Sequence, residues 1–239
     1  SNNSKKAPAG ALTRRGALTA AGATLAAAKM AFPSGAFAAG AGPEVAKAKL
    51  GFIALTDASP LIIAKERGFF AKHGMPDVEV LKQASWAAVR DNLVLGSERG
   101  GIDGSHILSP LPYLMSTGQA TGGTPTAMYI TARLNLNGQA ISVGNDLKSV
   151  RVGLNSAGAK AKFDQLKAAG NIAKVAMPFR GGTHDLWLRY WLAAGGINPD
   201  RDVSTIVIPP PQMVANLKAG TQDAFCVGEP WNGQTVNQA

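Results

Sequence analysis

Beyond residue 45 the chain alternates short apolar runs with stretches in which apolar positions recur every three or four residues. The first pattern predicts strands, the second amphipathic helices. Strands are predicted at 49–55 (KLGFIAL), 78–81 and 128–134. After the pattern restarts they are predicted at 150–154, 175–179, 204–208 and 223–227. Helices are predicted at 60–70, ending at Gly68, and at 86–95 behind a capping Ser85. Others follow at 159–169, 183–194 and 213–219, while 101–105 (GIDGS) is a break before a further helical stretch. Strands and helices alternating at this length predict α/β units with parallel strands. The restart near residue 140 predicts two lobes. Residues 45–137 form the N-terminal part of the first, 138–228 the second, and 229–239 the start of a return crossover to the first.

The front of the chain reads differently. Arg14 and Arg15 precede an Ala/Gly/Leu-rich stretch over 17–28, and Ala36 and Ala38 have the spacing of a small-residue cleavage site. This architecture resembles a twin-arginine (Tat) export signal, so residues 1–38 are read as a signal peptide handled by the Tat translocase. The mature chain is then expected near Ala39 and in the periplasm. No Cys immediately follows the signal core, so no lipid anchor is expected, and no later apolar stretch approaches the roughly 18 residues that span a bilayer. The chain starts with Ser1 rather than Met and stops at Ala239. It is read as part of a longer gene product that lacks the C-terminal part of the first lobe.

The net charge of +9 shrinks on inspection, because five cations (Lys5, Lys6, Arg14, Arg15, Lys29) precede residue 39 and no acid precedes Glu44. The remaining +4 is interspersed with acids, and no basic run with interleaved aromatics suggests nucleic acid. A single cysteine, Cys226 in an apolar run, excludes an intrachain disulfide and a cysteine metal cluster. No metal-ligand spacing and no cofactor motif is present. The segment 153–160 (GLNSAGAK) looks like a phosphate loop, but Lys160 comes one place late with no Ser or Thr after it. No GxSxG, HExxH or paired-carboxylate motif points to an enzyme, and Asp185 beside His184 does not make a dyad by itself.

Four residues carry the candidate chemistry: Trp86 at one predicted helix start, Gln139 in a loop after Asn137-Gly138, His184 at another helix start after Gly181-Gly182-Thr183, and Gly228 past the last strand. Singly, each has a plain alternative. Trp86 can be a core aromatic, Gln139 a turn residue, His184 an exposed first-turn residue and Gly228 a strand-end turn; His106 reads as a helix-packing residue. Together they sit where parallel strands end and helices begin, the place at which open α/β sheets bind ligands. Helix N-termini add unpaired N–H groups that favour an anion.

Several blocks in order, among them GFIALTDASPLIIAKERGFFAKHG, SWAAVRDNL, GGIDGSHILSPLPY, RGGTHDLWLRYWLAAGGINP and CVGEPWN, resemble the nitrate/bicarbonate-binding proteins of ABC importers, the nitrate branch most closely. The resemblance runs from about residue 45 to the end. It implies a type II periplasmic-binding-protein fold, α/β, with two lobes closing on the ligand. It implies that Trp86, Gln139, His184 and Gly228 are anion contacts, joined in the family by a lysine beyond Ala239. The expected ligand is nitrate or nitrite, delivered to an ABC permease with ATPase subunits; bicarbonate, sulfonates, or a nitrate-sensing regulatory role are the alternatives. A histidine rather than an amide at position 184 favours nitrate over bicarbonate.

Overall fold

A computed structural model of the chain describes residues 42–238, and residues 1–38, read as an export signal, lie outside the described residues. Residues 46–239 pack as one unit that contains two sheets. In the first, β1 (Lys47–Phe52) lies between β2 (Asp77–Lys82) and β3 (Gly104–Ser105), parallel to both. The second sheet has β4 (Gln139–Val143), β5 (Lys174–Met177), β6 (Ser204–Val207) and β7 (Ala224–Gly228) in the order β4-β7-β5-β6. There β5 runs parallel to β6 and β7, and β4 antiparallel to β7.

The helices are α1 (Ser59–Glu66), α2 (Phe69–Lys72), α3 (Trp86–Leu95), α4 (Pro110–Ser116), α5 (Ala157–Ala168), α6 (Thr183–Ala194), α7 (Pro210–Lys218) and α8 (Trp231–Gln238). Local chemistry sets their ends. Ser85 Oγ accepts from Ala88 N at 3.1 Å, starting α3 where the sequence predicts. Gly68 takes φ +67° and splits the predicted 60–70 helix into α1 and α2. On α6, Leu188, Trp191 and Leu192 repeat at helical spacing and are buried, while Trp187 and Tyr190 face outward.

Alternation along β5 and β7 divides the core. Val175, Met177, Ala224 and Cys226 face one side, packed with Phe163, Leu188 and Trp191. Ala176, Phe225 and Val227 face the other, in one cluster with Ile53, Leu55, Trp86 and Leu108 from the first half of the chain. This second cluster seats the two halves against each other at the C-terminal ends of β1 and β7. A backbone bond from Thr56 N to Glu229 O (2.8 Å) and one from Trp231 Nε1 to Ala54 O (2.9 Å) tie the same seam.

Three expectations are corrected. Residues 128–134 form no strand: Tyr129 and Ile130 are exposed, and apolar, β-prone residues do not make a strand without a neighbour to complete the ladder. Residues 150–154 are also irregular. Val150 and Val152 pack on the core and Leu154 is exposed, because the place beside β7 is taken by 139–143. Gln139 therefore opens a strand rather than sitting in a loop, and that strand breaks the all-parallel expectation.

Candidate functional site

The second core cluster ends at a cavity of about 450 Å³ whose wall includes Asp57, His106, Tyr113, Arg133, Gln139 and Trp187. Asp57 comes from the turn after β1, His106 from just past β3, Gln139 from the start of β4 and Trp187 from α6. The first three sit at strand ends or just beyond them, and Trp187 sits one turn into its helix. Trp86, His184 and Gly228 are buried behind this wall.

The four candidate residues are linked through neighbours. Gln139 and Gly228 face each other across the β4–β7 ladder, because the antiparallel β4 begins where β7 ends. Gln139 Nε2 donates to Thr183 Oγ1 at 2.7 Å, and Thr183 is the residue before His184. The Trp86 ring lies 5.2 Å from that of His106, tilted by 55°. His106 Nε2 is 3.0 Å from Asp57 Oδ1. Asp57 and His106 both act electrostatically on His184.

The Gly181-Gly182 turn presents His184. Gly181 has φ +74°, and its N–H donates to Asp185 Oδ2 at 2.8 Å. A Cβ on Gly182 would lie 2.7 Å from Leu108 Cδ1, so any larger residue would have to displace that buried side chain. Asp185 also accepts from Arg189 Nε at 2.8 Å, which turns it away from His184 and leaves no acid–histidine dyad there. Gly182 caps α6 without a side chain, so first-turn N–H groups of α6 remain for a ligand.

Unpartnered polar atoms concentrate at this place. Among the described residues, seven buried side-chain nitrogen or oxygen atoms have no hydrogen-bond partner, and six belong to Asp57, Trp86, His106, Gln139 and both nitrogens of His184. Buried polar groups are nearly always satisfied, so such a cluster marks a place completed by something else. Burial pushes the His184 imidazole down from 6.5 to about 4; Asp57 opposes that shift and His106 adds to it. At neutral pH His184 is therefore uncharged, with one N–H to donate and one lone pair to accept. It is buried, not an exposed first-turn residue.

Sequence reading missed Thr183, Asp57, His106 and Arg133. Asp57 reads as a turn former and His106 as a packing residue, because nothing in their local sequence shows that they meet. No group of three or more metal-ligating side chains occurs among the described residues. Cys226 is a free, buried thiol, pushed up to about 12 by burial.

Residues 41–239 match the NMT1-like family. The nitrate/nitrite binding protein NrtA of Synechocystis sp. is 65% identical over 196 residues, covering 82% of this chain and 43% of that protein. The bicarbonate-binding protein CmpA of Synechococcus elongatus is 44% identical over 189 residues, covering 79% of this chain and 42% of that protein. The crystal structure of the periplasmic nitrate-binding protein NrtA from Synechocystis is similar with a TM-score of 0.79 and 64% identity, over 82% of this chain and 50% of that one. The chain thus spans less than half the length of these two curated relatives.

Proposed function

The chain belongs to the NMT1-like family and has the periplasmic-binding-protein fold, and we propose that it is the capture part of an ABC importer for a small oxyanion, foremost nitrate or nitrite. The observation that carries this reading is the orphaned nitrogens of Trp86 and His184, buried behind the cavity wall that Gln139 and His106 line. An oxyanion with only acceptor atoms needs donors from several directions. Trp86 Nε1 is a donor only, the Gln139 amide has a second hydrogen beyond the one given to Thr183, and neutral His184 donates one. Gly228, opposite Gln139, brings main-chain polar groups to the same edge. These groups can hold an anion by hydrogen bonds alone, which suits a binder rather than an enzyme.

The cavity of about 450 Å³ has room for on the order of fifteen waters, far more than a small oxyanion needs. In the open form the anion bridges Trp86 and Gln139 to His184 and Gly228, then favours closure by its greater affinity for the closed state. The closed protein is presented to a membrane permease and its ATPase subunits. Residues 1–38 serve as the Tat signal that places it in the periplasm.

One observation supports bicarbonate as a second reading. Neutral His184 also has a lone pair, and Asp57 Oδ1 is unpartnered, so the site contains acceptors for a ligand proton. Calorimetric titration of nitrate, nitrite and bicarbonate into the mature, full-length protein separates the two. Saturable nitrate heat lost in Trp86→Phe and His184→Ala is expected. Bicarbonate heat with silent nitrate would move the protein to the second reading. Silence with all three, from folded protein, would falsify oxyanion capture.

A further inference from the structure

Asp57 is an odd residue to find in the wall of an anion site. Its carboxylate is about a quarter exposed, and Oδ1 is buried without a hydrogen bond. The only side chain at ion-pair distance among the described residues is His106, at 3.0 Å and out of line for a hydrogen bond. His106 is itself buried, with Nδ1 unpartnered and its ring against Trp86. Asp57 thus stands one residue away from Trp86 and acts on His184 directly. Elsewhere on this wall the only full cation is Arg133, exposed and without an ion pair among the described residues.

A fixed negative charge beside an anion site does not help capture, since it repels every anion. The repulsion scales with the ligand's charge, however, so it costs a dianion about twice what it costs a monoanion. Selectivity is a difference of affinities, and a repulsive element is an efficient way to obtain it when the competitors share size and oxygen chemistry. The carboxylate favours the tautomer of His106 with its proton on Nε2, and the positive edge of that ring, 3.0 Å away, softens the cost for the monoanion without removing the charge.

We propose that the Asp57–His106 pair is a charge filter that sets the specificity of the site, admitting monovalent oxyanions and rejecting divalent ones such as sulfite and sulfate. This rests on the oxyanion-capture reading and adds a specificity-determining pair to it. The two members act with opposite sign. Neutralising Asp57 relaxes the rejection of dianions, while removing the N–H donor of His106 leaves the carboxylate unscreened and sharpens it. Damage to packing has no such sign, because it lowers all affinities together.

The test is calorimetric titration of nitrate, sulfite and sulfate into the full-length protein at one mildly alkaline pH, where sulfite is a dianion. Asp57→Asn keeps the side-chain shape, and His106→Phe keeps a ring against Trp86. The nitrate-over-sulfite preference is expected to fall roughly tenfold in Asp57→Asn and to rise in His106→Phe. A preference unchanged, or moved in the same direction, in both variants overturns the filter. If one variant does not fold, as judged by its thermal transition, the other still decides by the sign of its change. Parent protein that takes up no nitrate fails the capture reading instead, and is distinguished from failure of the filter by that trace alone.

Discussion

Gln139 Nε2 donates to Thr183 Oγ1 at 2.7 Å, so the first residue of β4 is held by the first residue of α6. The bond fixes which way the Gln139 amide faces. One N–H is used by Thr183, the other is left for a ligand, and Oε1 stays unpartnered. Thr183→Val removes the acceptor while keeping the shape of the side chain. Nitrate affinity is expected to weaken by about 1 kcal/mol, roughly fivefold in Kd, with little change in Tm. Gln139→Glu is expected to abolish binding at neutral pH, since it puts a carboxylate where the anion needs a donor. Calorimetry on both variants measures this.

His184 links stability to pH. The unfolded chain takes up a proton on this imidazole near 6.5, whereas the folded protein refuses it until about 4. The contribution is therefore fully present above pH 6.5 and is lost as pH falls from 6.5 toward 4. It amounts to about 3 kcal/mol over that window. Urea unfolding at a series of pH values should show this loss in the parent and lack it in His184→Asn. An anion that accepts from His184 also favours the charged ring, so binding at pH 5 is expected to take up protons, read from the dependence of the heat on buffer.

Two glycines separate fold from binding. A methyl group at Gly182 would lie 2.7 Å from Leu108 Cδ1 and 3.3 Å from Phe179 O, so Gly182→Ala should destabilise by about 1–3 kcal/mol. At Gly228 the nearest atom to a built Cβ is Leu55 Cδ2 at 3.4 Å, ordinary contact, and φ is not positive there. Gly228→Ala should keep its Tm and lose anion affinity, because the methyl group enters the edge of the site. Thermal scans and titration of the pair check both statements.

The start of α3 is a local device. Ser85 Oγ accepts from Ala88 N, and Ser85→Ala is expected to cost about 1 kcal/mol of stability. Because that cap sets the first turn that bears Trp86, a smaller loss of nitrate affinity should accompany the lower Tm. A Ser85→Asp variant, which restores a cap, should recover both.

What the sequence by itself determined is what local physics can specify. The ends of α3 and α6 follow from a capping serine and from apolar residues at helical spacing, and β2, β5, β6 and β7 from short apolar runs. The ordered blocks of family-like residues further bring Trp86, Gln139, His184 and Gly228 to attention together. Only the tertiary structure decided which apolar run becomes a strand. Residues 139–143 pair with β7 while the more apolar 128–134 pair with nothing, because a strand exists only when a neighbour completes its ladder. It alone also decided the charge of His184, since burial rather than identity drives that imidazole down to about 4. The meeting of Asp57 with His106 is likewise a product of β1 and β3 lying side by side. No spacing along the chain encodes a contact that arises when two parallel strands deliver their ends to one edge.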